Sequence, residues 1–229
     1  MENLIIKPNR AKALFLAKRQ LAELIYDAVN LEGILYTLPE VQTLLQGITV
    51  GGHALTDEKI TLNQSAAWKR LFQLVEKNQF EVTKTIACEL HAIAACEESL
   101  TWGKFRTGGV TIAGSAYMPP ASTELDTCWE KMVMEAATKK DMYDKAIFVF
   151  LQMARNQFFY DVNKRMGRFL MNGILLTAGY PVINLPAKKQ LEFNQLMLDY
   201  YTSGDVALMT QFMKNCLEEK TIIIMNEDH

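Results

Sequence analysis

The feature that most constrains this chain is a polar stretch, Gln157 to Arg168, set between two strongly apolar segments. A solid apolar run from Ala146 to Met153 leads in. Met166, Phe169, Leu170, Gly173, Ile174 and Thr177 follow on one stripe at i, i+3, i+4 spacing, which predicts a second helix. A turn carrying an acid, an amide and two Arg is costly to bury between such helices unless its polar groups find partners. A helix N-terminus offers unpaired N–H groups and the positive end of a dipole, which suits an anion. Asn163 is placed to cap the second helix. Arg165 and Arg168, three apart, can reach the same anion, and Asp161 can hold a divalent cation together with phosphate oxygens. From the residues alone the stretch is either a phosphate and Mg²⁺ site at a helix start, or a helix whose cap and first-turn charges pair with its neighbours.

The rest of the chain predicts helices around this centre. Its 229 residues, 49% hydrophobic and 22% charged, suit one well-buried core. A net charge of −2 gives no electrostatic case for nucleic acid or an anionic membrane surface. No apolar run reaches transmembrane length, and Met1 to Arg10 lacks the apolar core of a signal peptide. Cys88, Cys96, Cys128 and Cys216 show no metal-ligand spacing, so free thiols and a cytoplasmic location are expected. His53, His91 and His229 are too few for a His-rich metal site. His53 falls in a loop, and His91 reads as a surface or packed helix residue.

Lys12 to Val29 predicts an amphipathic helix with Leu14, Ala17, Leu21, Leu24, Ile25 and Ala28 inward, stopped at Gly33. Glu32 sits just before that stop, where the helix dipole disfavours an acid. It is either a solvated loop acid or the partner of a specific cation. Thr37 and Glu40 form a capping-box signature. Helices are expected from Asn63 or Ser65 to Glu76, Glu81 to Ser99, Ser122 to Lys139, Ala187 to Tyr201 and Asp205 to Glu218, with Asp141 capping the helix that ends at the polar stretch. Trp102 to Pro120 differs: β-branched residues alternate around glycines and end in Pro119-Pro120, which predicts a small β-hairpin. Thr221 to Met225 is a β-branched apolar tail. The fold class expected is all-α, with one β-hairpin flap, in a single domain over 1–229.

Three segments together resemble the Fic (filamentation induced by cAMP) family. The polar stretch is similar to the motif His-x-Phe-x-Asp/Glu-Gly-Asn-Gly/Lys-Arg-x-x-Arg through Phe159, Asp161, Asn163, Lys164, Arg165 and Arg168. Gln157 stands at the His position and Val162 at the Gly position. Ala28-Val29-Asn30-Leu31-Glu32-Gly33, followed by Thr37-Leu38-Pro39-Glu40-Val41, resembles the family's inhibitory segment. Phe105-Arg106 through Val110, Thr111 and Ile112 to Pro119-Pro120 resembles its flap.

The resemblance implies a Fic-type helical bundle, with an inhibitory segment over 10–33, a flap over 102–120, the motif over 157–168 and C-terminal helices over 187–219. It also implies an ATP and Mg²⁺ groove that transfers AMP to a Ser, Thr or Tyr hydroxyl of a protein. Asp161 would hold the metal. Asn163, Lys164, Arg165 and Arg168 would contact phosphates, with Glu32 pairing with Arg168 to block productive ATP binding. Val110, Thr111 and Ile112 would line up the protein target by main-chain pairing. Self-association is left open. The departures change the chemistry. Gln157 cannot act as a general base, the loss of which costs about 10²–10⁴ in rate. Val162 resists the positive φ that a Gly supplies. Three readings compete: a nucleotide binder with weak or lost AMP transfer, an active transferase that uses His53 or His91 as its base, and a non-catalytic module that binds a partner through flap and groove. The Asn-Lys-Arg sequence also resembles the Doc-like phosphotransferase branch, against which the Glu32 segment argues.

Overall fold

The computed structural model describes residues 6–227. Among them are eleven α-helices and no strand. Helices α7 (Met142–Asn156) and α8 (Asn163–Thr177) form the centre. In α8 every residue from Asn163 to Leu176 except Lys164 is buried, so the helix is walled in on all sides. Two glycines make this possible. A Cβ on Gly167 would stand 2.9 Å from the Phe150 carbonyl oxygen of α7, and one on Gly173 would stand 2.2 Å from the Phe80 ring. The backbones of α7 and α8 therefore approach each other at Gly167. Ile147, Val149, Phe150, Leu151 and Met153 of α7 meet Met166, Leu170, Met171 and Leu175 of α8 in a shared core.

Around this pair lie α1 (Arg10–Arg19), α2 (Leu21–Asn30), α3 (Leu38–Leu45), α4 (Leu55–Glu76), α5 (Lys84–Ala94) and α6 (Leu125–Thr138), then α9 (Gln190–Ser203), α10 (Ala207–Lys214) and α11 (Glu219–Asn226). The one helix expected over Lys12–Val29 is two, broken at Gln20, whose φ of −89° and ψ of 9° leave the α region. Thr37 and Glu40 close the capping box that opens α3, and Asp141 caps α7 by accepting from the Asp144 amide. The helix expected from Asn63 or Ser65 begins earlier, at Leu55, and the one expected over Glu81–Ser99 is confined to Lys84–Ala94. The apolar tail is helical. Lys12 Nζ donates to the Ile224 and Glu227 carbonyls, which ties α11 to α1.

The hairpin expected over 102–120 is absent. That segment is extended and turned but makes no strand ladder. The reason is Arg106, which is 2% exposed. Its guanidinium donates to the carbonyls of Gly108 (2.7 Å) and Pro120 (2.5 Å), the second at the end of the segment. Its backbone N–H donates to the Phe158 carbonyl instead of a facing strand. A side chain inside the loop thus takes carbonyls that a ladder would need. The four cysteines are free thiols, and no helix among the described residues is long and apolar enough to cross a membrane.

Candidate functional site

A pocket of about 460 Å³ opens where α7 ends and α8 begins. Its walls include Asp161, Asn163, Lys164 and Arg165 from the turn, Glu32 from the segment after α2, and Thr111 and Ile112 from the 102–120 segment. Met197, Leu198 and Tyr201 of α9 close the apolar side. Val110 lies outside this wall.

The turn folds by an unusual use of two side chains. Gln157 ends α7 in the left-handed region, at φ 49° and ψ 61°. Its amide nitrogen donates to the Ala154 carbonyl (2.6 Å), and its amide oxygen accepts from Asn163 Nδ2 (2.9 Å). Asn163 also donates to the Phe159 carbonyl (2.8 Å) and accepts from the Phe159 N–H (3.0 Å). The expected cap is corrected here: Val162 holds the N-cap position and Asn163 is the first helical residue. The Asn163 side chain reaches back to stitch the turn, because that position faces the interior at 3% exposure. No side chain caps α8, so its first-turn amides are the turn's candidate donors to an anion.

Val162 adopts φ 65° and ψ 10°. The backbone of the turn is therefore kept, and a β-branched residue bears the left-handed conformation, which costs roughly 1–3 kcal/mol. Two observations say what offsets it. Val162 is 3% exposed, packed in the core, and its N–H donates to Asp161 Oδ1 (2.6 Å).

The cations are all paired. Glu32 Oε1 stands 3.2 Å from Arg168 Nη2, and Glu32 Oε2 stands 3.3 Å from Lys164 Nζ. Burial pushes the Glu32 carboxyl up, but Lys164, Arg168 and Arg165 pull it further down, so it ionises more readily than a free Glu. Arg165 is gripped instead by Glu98, through both guanidinium Nη atoms. Glu98, on the loop after α5, carries no sequence signal that could have marked it. Asp161 is exposed on the pocket wall. Among the described residues no three His, Cys, Asp or Glu side chains converge on one point. One carboxylate beside phosphate oxygens and water is a donor set that suits Mg²⁺, so the residues present fit that ion.

The two described histidines are both occupied. His53 stacks on Tyr36 with ring centroids 3.8 Å apart and faces Glu40 at 3.2 Å. His91 is fully buried and stacks on Phe159 at 3.8 Å with the rings 7° from parallel. Its Nδ1 accepts from the Gly103 N–H (3.1 Å), which assigns the proton to Nε2 for donation to the Asp161 carbonyl (3.3 Å). Burial lowers its pKa to about 4. Neither ring lines the pocket. His91 and Arg106 brace the turn from outside. Arg106 Nε donates to the Gln157 carbonyl (2.6 Å), at the negative end of the α7 dipole.

Residues 81–175 match the family described as "Fic/DOC family". The chain is similar to "Protein adenylyltransferase Fic" of Drosophila persimilis, 25% identical over 202 residues, covering 85% of this chain and 39% of that protein. The namesake of Drosophila willistoni is likewise 25% identical, with 40% of it covered. The chain thus spans about two fifths of the length of these relatives. Among solved structures, a fragment of Fic-1 from C. elegans superposes with a TM-score of 0.80 at 18% identity, covering 91% of this chain and 64% of that one. A Fic domain containing signaling protein from Bacteroides thetaiotaomicron gives a TM-score of 0.74 at 18% identity, covering 96% and 89%. At such identities the structural likeness establishes the fold.

Proposed function

We propose, from the match of residues 81–175 to the Fic/DOC family, that the pocket binds ATP with Mg²⁺ and that the chain is of the adenylyltransferase class, with transfer of AMP to a protein hydroxyl weak or lost. Lys164, Arg165 and the first-turn amides of α8 supply the positive side of the site, and Arg168 lies behind Glu32. Asp161 would hold Mg²⁺, which when bound offsets phosphate charge. Thr111 and Ile112, at the pocket mouth, are where a protein segment would lie. The observation that carries the loss of transfer is Gln157. Its amide is engaged on both sides by Ala154 and Asn163, and an amide takes no proton near neutral pH. Positioning and charge stabilisation are separable from base catalysis, so binding can persist without turnover.

The test is calorimetric titration with ATP and Mg²⁺ on the unmodified chain and on Glu32→Gly. Binding that strengthens in Glu32→Gly supports the reading; no binding in either sinks it. A second reading, a non-catalytic partner-binding module, is favoured by the full pairing of Lys164, Arg165 and Arg168 with carboxylates, and would lead in that case. Lys164 keeps a Doc-like phosphotransferase as a third reading, in which label from the γ-phosphate rather than AMP would appear on a target.

A further inference from the structure

A second cavity, of about 520 Å³, lies at the other end of the central pair, where α7 begins and α8 ends. Its size falls in the range of roughly 300–1,000 Å³ typical of small-molecule sites. We infer that it binds a small amphipathic carboxylate, an aliphatic body ending in a single acid group, with Lys145 as the partner of that acid. The cavity shares no wall residue with the pocket at the polar turn, so it stands apart from the nucleotide reading of that pocket.

Three helices and one loop make the cavity. From α7, Met142, Lys145 and Val149 face it at i, i+3, i+7 spacing, one helical stripe. From α8 come Ile174 and Thr177, again three apart. Across from them α6 presents Ala136 and Ala137, whose short side chains leave the space between the helices open. Phe80, 6% exposed, forms part of the wall, with its ring set against Gly173. Most of the wall is apolar, and its few polar groups are Glu81, Thr83, Lys145 and Thr177. Thr83 is already engaged, since its hydroxyl caps α5 by accepting from the Ile86 N–H (3.2 Å). An apolar wall with a few polar groups is the makeup of a site that takes a mostly apolar ligand and fixes its one polar end.

Charge selects the polar end. Lys145 is the one cation of the wall, and it is half-buried. Its local partners on α7 would be Asp141, four residues back, and Asp144 beside it. Both are taken by Lys214 of α10, at 3.1 and 2.7 Å. Among the described residues no carboxylate pairs with Lys145. A Lys in such a place lays its methylene stem along the apolar surface and keeps its ammonium at the edge. Glu81, the other charged residue of the wall, is exposed, where water and salt screen it. The cavity therefore offers an apolar body one positive anchor. A polyphosphate, with several charges, would find one cation and a wall that cannot solvate the rest.

The experiment is a titration of the full, methyl-labelled chain with decanoate below its micellar range, followed by NMR, with decanol and decylamine as probes of equal length. Decanoate is expected to shift the methyl signals of Val133, Met142, Val149 and Ile174 saturably, and to bind more tightly than decylamine. Lys145→Gln is expected to weaken decanoate by about threefold to tenfold and to leave decanol within about twofold. Ala137→Trp, at an exposed position of the wall, should obstruct the cavity and remove the shifts. Should that variant not fold, Thr177→Trp, exposed at the end of α8, takes its place. Absence of shifts at those four methyls would overturn the site, as would shifts that survive the obstruction. Decylamine binding as tightly as decanoate, or decanoate indifferent to Lys145→Gln, would overturn the choice of a carboxylate. Shifts of the same methyls that grow with protein concentration alone would give this face to a second copy of the chain instead.

Discussion

Glu32 and Arg168 lie 136 residues apart in sequence and meet at 3.2 Å, Glu32 standing on the pocket wall and Arg168 behind it. The contact joins the end of α2 to the central helix. It places a negative charge where the positive end of α8 would otherwise receive an anion. Substituting Glu32 by Gly is therefore expected to raise the affinity for ATP with Mg²⁺. It should lower Tm at the same time, because Arg168, 8% exposed, loses its carboxylate. Opposite movements of binding and stability, read by calorimetry and thermal melting, are the signature. A rise in both, or a fall in both, would contradict it.

Val162 gives a prediction of order. Val162→Gly removes the strain of a left-handed backbone, worth roughly 1–3 kcal/mol, and loses the burial of a Val side chain, worth roughly 1.5–3 kcal/mol. These nearly cancel. Val162→Ala loses most of the packing while keeping a Cβ at φ 65°. Gly is expected to melt at or above Ala, the reverse of the usual order inside a protein core.

His91 makes stability depend on pH. Its folded pKa of about 4 lies below its ordinary value of 6.5 because burial disfavours the charged ring. Between those values the unfolded chain binds the extra proton, so stability rises with pH across this window. The contribution is fully present above 6.5 and lost as pH falls toward 4, with a total on the order of 3 kcal/mol. Chemical denaturation at pH 7 and pH 5 should show the loss. His91→Gln should be less stable at pH 7 and show a flatter profile across the same interval. An unchanged slope would assign it to other groups.

Gly173→Ala probes the packing of the central helix. The added Cβ would stand 2.2 Å from the Phe80 ring, which itself is 6% exposed. Overpacking of this kind costs about 1–3 kcal/mol. A paired Phe80→Leu change, which makes room, is expected to recover part of that loss. Failure of the pair to do better than the sum of the single changes would deny the contact.

Catalysis can be approached by restoration. AMP transfer from the chain as it stands is expected to be negligible. Gln157→His with Val162→Gly and Glu32→Gly should recover more label from labelled ATP, on the protein itself or on a lysate, than either motif change alone. Robust labelling by the unmodified chain would point to a base other than residue 157. Absence of label from the triple variant would favour the partner-binding module.

The sequence by itself determined the helical class, the central position of the α7–α8 pair and the polar turn between them. Periodicity and caps are local, and Ala146 to Met153 or the stripe from Met166 to Thr177 can be read without neighbours. It also marked Glu32 as an acid at an unfavourable helix end. The tertiary structure decided what no local rule carries. Trp102 to Pro120 has the alternation of a hairpin, yet Arg106 takes its carbonyls and no strand forms. Asn163 has the chemistry of a cap, yet its side chain turns inward to Gln157 and Phe159. Glu98 meets Arg165 across 67 residues with nothing in its surroundings to announce it. Spacing along the chain predicts which backbone groups a segment satisfies within itself. Which side chains satisfy the remainder depends on distances between segments, and these exist only after the chain has folded.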